Sequence, residues 1–175
     1  QAFGVTPDIM TMAKAITNGV VPLGAVASRE KIYDTVLDAS PMGAVEFFHG
    51  YTYSAIPVSM AAGLAMQDII EKENLIQRSK DMSPYFLDGL FSLKDIDIVT
   101  DIRGYGMLGG IDIRIDERPG KAGYACFKKL FEAGLSLKAT GDCLIVAPPF
   151  ISEKSHIDEI IEKLRKGITS YKKTQ

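Results

Sequence analysis

Apolar residues recur along the chain with several different rhythms. From Pro57 onward, Val58, Ala61, Ala62, Ala65, Met66, Ile69 and Ile70 fall on one face of a helix, and Pro57 fits its first turn. The small residues Ala61, Ala62, Gly63 and Ala65 imply close packing against a neighbouring backbone. A second and more charged helical stretch covers 74–93, where Pro84 argues against continuity. Nearer the N-terminus the runs shorten. Pro7, Gly19, Pro22 and Gly24 punctuate residues 6–29, leaving apolar runs at 9–13 and 23–27 that read as buried strands of an α/β sheet. Ser28 is placed to cap a helix beginning at Arg29, with Ile32, Val36 and Leu37 on one side. Residues 38–54 read as a loop rich in Gly, Pro and aromatics.

The character changes near Asp97. Residues 97–102 are strand-like, Gly104 and Gly106 are expected to turn the chain, and Ile111, Ile113 and Ile115 alternate with Asp112, Arg114 and Asp116, as in a half-buried strand. A helix is expected over about 122–133, with Gly134 placed to end it. Residues 135–138 and 143–147 flank a turn at 139–142 and read as a hairpin, stopped by Pro148-Pro149. Ser152 is expected to cap a last helix carrying Ile157, Ile160, Ile161, Leu164 and Ile168 on one face. The order αββαββα suggests a small α+β domain, drawn here as 97–175, after an α/β portion at 1–96.

Composition narrows the classes. With 175 residues, 46% hydrophobic, the chain can bury a substantial core. A net charge of −2 leaves no basic footprint for nucleic acid and no polybasic membrane patch. No apolar run reaches membrane-spanning length, and no signal peptide is recognisable. Cys126 and Cys143 are too few for a disulfide framework, and with only two histidines no metal-ligand spacing emerges; both cysteines read as small core residues of a reducing compartment. The expectation is a cytoplasmic piece of a larger globular protein, since the chain opens at Gln1 without an initiator methionine.

Four places could carry chemistry. Lys14 follows the run 9–13; a strand-end lysine that is partly desolvated is a usable amine nucleophile, while the plainer alternative is a lysine reaching out to solvent. The loop His49-Gly50-Tyr51-Thr52 precedes a helix and could present N–H groups and a hydroxyl to a phosphate, or Thr52 or Ser54 could simply cap that helix. Arg103 could bind a carboxylate, though an ion pair with Asp101 or another acid is the more ordinary use. Lys138 is expected to be a solvated hairpin lysine.

Read together, these pieces resemble a known family. Thr6-Pro7-Asp8-Ile9-Met10-Thr11-Met12-Ala13-Lys14-Ala15-Ile16-Thr17-Asn18-Gly19, followed by Pro22-Leu23-Gly24-Ala25-Val26, resembles the cofactor-lysine segment of class III (omega) aminotransferases. His49-Gly50-Tyr51-Thr52-Tyr53-Ser54 with Pro57 and its Ala-rich helix looks like that family's second signature. Ile102-Arg103-Gly104-Tyr105-Gly106-Met107 and Gly141-Asp142 through Ala147-Pro148-Pro149 resemble its later landmarks, in order. Within the family the likeness is greatest to the β-alanine (omega-amino acid)–pyruvate enzymes, with Val45-Glu46-Phe47-Phe48-His49-Gly50 part of it.

The resemblance implies a fold-type I transferase: the C-terminal part of the large α/β domain and the small α+β domain. It implies that Lys14 holds pyridoxal 5′-phosphate as a Schiff base and then moves the proton between substrate and cofactor carbons. Thr52 corresponds to the threonine that binds the cofactor phosphate of the neighbouring subunit, which implies a homodimer at least. Lys138 stands where many relatives place an arginine for the substrate carboxylate; it keeps the charge and loses the planar fork. The implied reaction moves an amino group from an omega-amino acid or amine to a keto acid such as pyruvate. An aminomutase, a decarboxylating aminotransferase and a non-catalytic scaffold protein are the alternatives. The family's phosphate-cradling loop, ring-stacking aromatic and ring-nitrogen aspartate have no counterpart in these residues, so the 175-residue chain alone is expected not to bind the cofactor productively.

Overall fold

The computed structural model describes residues 3–41, 50–114 and 118–172, with side chains to 171. They fall into two compact units, Gln1–Glu73 and Asn74–Gln175.

In the first unit, β1 (Ile9–Met12) and β2 (Ala25–Ser28) pair antiparallel, with Ile9 opposite Ser28 and Met12 opposite Ala25. The strands lie close to the expected places, but they are not buried. Ile9, Met10 and Val26 are exposed, because a two-stranded ribbon has too few neighbours to cover either face. Ser28 does not cap α1 (Glu30–Asp38); it ends β2, and Arg29 is the N-cap residue, with no side-chain cap. The ladder runs on past Ser28, since Arg29 N donates to Asp8 O at 3.0 Å while the Arg29 side chain pairs with Asp8. Helix α2 (Pro57–Lys72) starts at its proline as expected, and its N-cap Ile56 supplies no side-chain bond. Its fully buried residues are Ser59 and Gly63, flanked by half-buried Ala62, Met66 and Ile70.

The second unit opens with α3 (Leu75–Phe91), which continues unbroken through Pro84. An interior proline costs roughly 3 kcal/mol. Burial of Phe86 and Leu90, both fully enclosed, returns about 1.5–3 kcal/mol each, so packing carries the helix through. With Leu93, these residues join the same core as Ile111, Leu144 and Leu164. The division by contact therefore falls at Glu73/Asn74 rather than at Asp97, and α3 supplies the first helix of the αββαββα order.

Four antiparallel strands follow, in the order β3-β4-β6-β5. Strands β3 (Val99–Tyr105) and β4 (Leu108–Ile113) turn at Gly106, whose φ is 60°. Gly104, expected in that turn, lies inside β3; a Cβ there would meet the Leu87 side chain at 2.5 Å, so the glycine permits the approach of α3. Alternation in β4 is as expected, with Ile111 and Ile113 buried; Ile115 and Asp116 lie outside the described residues. Helix α4 (Lys121–Glu132) ends at Gly134 (φ 79°), where Gly134 N donates to Phe131 O and Leu135 N to Leu130 O, a Schellman closure. Strands β5 (Lys138–Thr140) and β6 (Cys143–Val146) join through the two-residue turn Gly141-Asp142, so Ala139 and Thr140 are strand rather than turn. Helix α5 (Lys154–Lys172) begins one residue beyond the place where Ser152 was expected to cap it, with Ile157 N donating to Glu153 O and Glu153 N donating to His156 Nδ1 at 3.0 Å. Helices α3, α4 and α5 cover one sheet face, against Ile102, Ile111, Ile113, Leu144 and Val146. The opposite face carries Arg103, Asp112, Lys138 and the half-buried Cys143, which is therefore not a core residue; Cys126 is.

Candidate active site

The chain leaves β1 through Ala13, still extended, and reverses at Lys14, whose φ is +56°. A side chain other than glycine in the left-handed region costs on the order of 1–3 kcal/mol and persists only where its surroundings over-determine it. Lys14 opens a single 3-10 turn, Lys14–Ile16, closed by Thr17 N donating to Lys14 O at 3.3 Å. Asn18 and Gly19 also have positive φ, so the segment folds into a tight knot. Lys14 is exposed, not desolvated as a buried strand end would be. It lines an open cleft of about 640 Å³ with Thr17, Pro22, Leu23, Tyr53 and Ile56. Among the described residues no hydrogen bond or ion pair engages its amine.

Thr52 sits in the exposed turn at 52–55. The capping alternative fails, since α2 has no side-chain cap. Thr52 is not part of the lining of the Lys14 cleft, whereas its neighbours Tyr53 and Ile56 are. His49 and the preceding 45–48 segment lie outside the described residues. A cleft of this size suits a small-molecule cofactor, and a solvent-open amine at its mouth is the donor that pyridoxal phosphate chemistry requires. On that ground the residues present fit the group.

In the second unit, Arg103 is committed within the protein. Its guanidinium forks onto Asp112 at 2.6 and 3.1 Å and reaches Asp101 at 3.0 Å. Asp112 is held below the usual carboxylate range by that guanidinium, and Arg103 is raised in return. Cys143, within 3.5 Å of Arg103, has its thiol pushed up chiefly by burial, then by Asp112. Lys138 opens β5 opposite Ile145 and is exposed, as a hairpin lysine should be.

Sequence reasoning missed the device that holds this hairpin. Asp142 accepts Gly120 N at 2.6 Å and Gly123 N at 2.9 Å, closing the N-terminus of α4, which has no side-chain cap of its own. It also missed Thr17 and Ser59, the buried hydroxyl residues of the first unit. A serine framed by small residues on an otherwise apolar helix face was the available signal.

The description "Aminotransferase class-III" matches residues 1–168. The chain is 41% identical over 169 residues to an omega-aminotransferase of Caulobacter vibrioides and 42% identical over 174 residues to a beta-alanine–pyruvate aminotransferase of Pseudomonas aeruginosa. These alignments cover 95% and 96% of this chain but 38% of each relative. The solved omega transaminase from Pseudomonas jessenii in complex with PMP superposes with a TM-score of 0.91 at 26% identity, over 99% of this chain and 40% of that one. The fold is thus that of the fold-type I, pyridoxal-phosphate-dependent transaminases, and the chain belongs to the class III aminotransferase family.

Proposed function

We propose that this chain carries the Schiff-base lysine of an enzyme that transfers an amino group from an omega-amino acid or amine to a keto acid such as pyruvate. The observation that carries the reading is Lys14: an amine at the mouth of a cleft, on a backbone held in the left-handed region. When bound, pyridoxal phosphate supplies an electron sink for the substrate carbon. Lys14 Nζ would hold the cofactor covalently and, when free, would carry the proton between the substrate and cofactor carbons. The Pseudomonas aeruginosa relative, a beta-alanine–pyruvate aminotransferase, favours transfer to pyruvate over the aminomutase and decarboxylating alternatives, which would use the same lysine. A non-catalytic scaffold would have no use for a strained lysine turn opening on a cleft.

We further propose that Thr52 binds the cofactor phosphate of a second subunit. Its exposure and its absence from the Lys14 cleft support that division. Lys138 is proposed to meet the donor carboxylate as a point charge. We propose a homodimer, as the shared site requires, and the two free cysteines suit a reducing, cytoplasmic compartment.

The test uses the protein at its full natural length, saturated with pyridoxal phosphate. The visible band of the lysine-bound cofactor should vanish in Lys14→Ala, and its persistence would overturn the assignment. Mixing Lys14→Ala with Thr52→Ala subunits should restore partial activity, because one site of each hybrid is then intact; inactive hybrids would refute the shared site.

A further inference from the structure

We propose that Thr17 and Ser59 are positioning residues for Lys14, two hydroxyl clamps that hold the lysine turn in its left-handed conformation; this rests on the reading of Lys14 as the cofactor lysine. Among the described residues of the first unit no apolar side chain is fully buried, yet two hydroxyl residues are: Thr17 at 4% exposure and Ser59 at 5%. Both are spent on the same short segment. Thr17 Oγ1 donates to Val21 O at 2.6 Å, while its backbone N donates to Lys14 O and its carbonyl accepts Val20 N at 3.1 Å. Every hydrogen-bonding group of Thr17 is thereby used to close the loop between Lys14 and Val21. One residue further on, Ser59 Oγ of α2 donates to Pro22 O at 3.0 Å.

The same helix sets the height of the turn. A Cβ on Gly63 would lie 3.3 Å from Leu23 Cδ2 and 3.6 Å from Ile16 Cγ2, so the missing side chain lets both flanks of the turn seat on α2. The left-handed φ of Lys14 is thus fixed from inside by Thr17 and from below by Ser59 and Gly63. A hydroxyl does this better than an apolar group, because the carbonyls of Val21 and Pro22 would otherwise be left without these donors. Neither hydroxyl bonds the Lys14 amine; they bond the carbonyls of Val21 and Pro22. Each acts by presenting Lys14 Nζ at one place in the cleft.

The experiment compares wild type, Thr17→Val, Thr17→Ser, Ser59→Ala and Lys14→Ala in the protein at its full natural length. Each apo-protein is mixed with pyridoxal phosphate and reduced with borohydride at timed intervals, and label on residue 14 is counted by peptide mass spectrometry. Thermal unfolding of the apo-proteins is recorded alongside. Labelling of Lys14 is expected to slow about fivefold in Thr17→Val, the worth of one hydrogen bond. Thr17→Ser should label at the wild-type rate, and Ser59→Ala should slow in the same way as Thr17→Val. Wild-type labelling in Thr17→Val, or equal slowing in Thr17→Ser, overturns the positioning role. Should Thr17→Val fail to fold, Ser59→Ala decides, with wild-type labelling as the overturning result. Lys14→Ala separates the two readings: a cofactor band that survives there removes the cofactor lysine itself, whereas its loss beside normal labelling of Thr17→Val removes only the clamps.

Discussion

Gly123→Ala reverses the sign that helix propensity alone would give. Gly123 lies inside α4 with an ordinary helical φ, so alanine there should stabilise the helix by about 1 kcal/mol. The surroundings forbid it. An added Cβ would stand 2.8 Å from Asp142 Cα and closer still to the carbonyl oxygen of Gly141. Both atoms are backbone, so no side-chain rotation relieves the clash, and the β5–β6 turn must lift from α4. Lifting it breaks the bonds from Gly120 N and Gly123 N to the Asp142 carboxylate. Hydrogen bonds to a charged group are worth about 1.5–3 kcal/mol each. Losing most of the pair against the propensity gain leaves a net destabilisation of roughly 2–4 kcal/mol. Urea unfolding followed by far-ultraviolet circular dichroism measures it. Asp142→Ala should cost a similar amount through the same contact, so the double variant should be no worse than the weaker single one, with a coupling of about 2 kcal/mol. A Gly123→Ala protein as stable as wild type, or additive losses in the double variant, would refute the reasoning.

Other expectations follow from the same geometry. Leu90→Ala, emptying a fully buried site, should lose about 2–5 kcal/mol in the same urea assay. Asp112 is depressed by Arg103, so its contribution is present above the ordinary carboxylate pKa and lost as pH falls through its lowered folded value; the stability gap between wild type and Asp112→Asn should be flat near neutrality and close on acidification. Burial pushes the Cys126 thiol up to about 12, so at pH 8 Ellman's reagent should reach Cys143 slowly and Cys126 only on unfolding. In hydrogen exchange of the 175-residue chain, amides of 86–171 should be protected together and those of the first unit should exchange far faster; equal protection would contradict the burial pattern.

Local chemistry was legible where one residue decides the outcome. Pro57 and the apolar spacing after it located α2, and Gly134 located the end of α4 because its φ of 79° is open to few other residues. Ile111 and Ile113 announced the inner face of β4 by alternation alone. What escaped depends on partners distant in sequence. Ser28 looked like a cap until the ladder was seen to extend to Arg29. Gly104 looked like a turn because the Leu87 side chain that requires a bare backbone comes from another element. Pro84 looked like a helix end because the compensating burial of Phe86 and Leu90 is tertiary. Within the site, Lys14 was marked by its motif and its exposure was one of the two readings open to it, but its left-handed backbone was not. Ser59 and Pro22 lie 37 residues apart, and no local pattern joins them.

The two units divide labour unequally. Among the described residues the hydrophobic core cluster lies between Phe86 and Tyr171, while Lys14 and Thr52 lie in the unit whose apolar residues Ile9, Val26, Val58 and Leu64 are exposed. Among the described residues of the first unit no apolar side chain is fully buried, so packing within these residues does not by itself fix the strained lysine turn. Within these residues the resistance comes from directional bonds, since the fully buried side chains among them are hydroxyls that bond the carbonyls of Val21 and Pro22. Hydrogen bonds fix orientation more sharply than apolar contact, and the burial of Thr17 and Ser59 shields these two from water. The bonds that hold the turn of Lys14 thus come from its own segment and from α2.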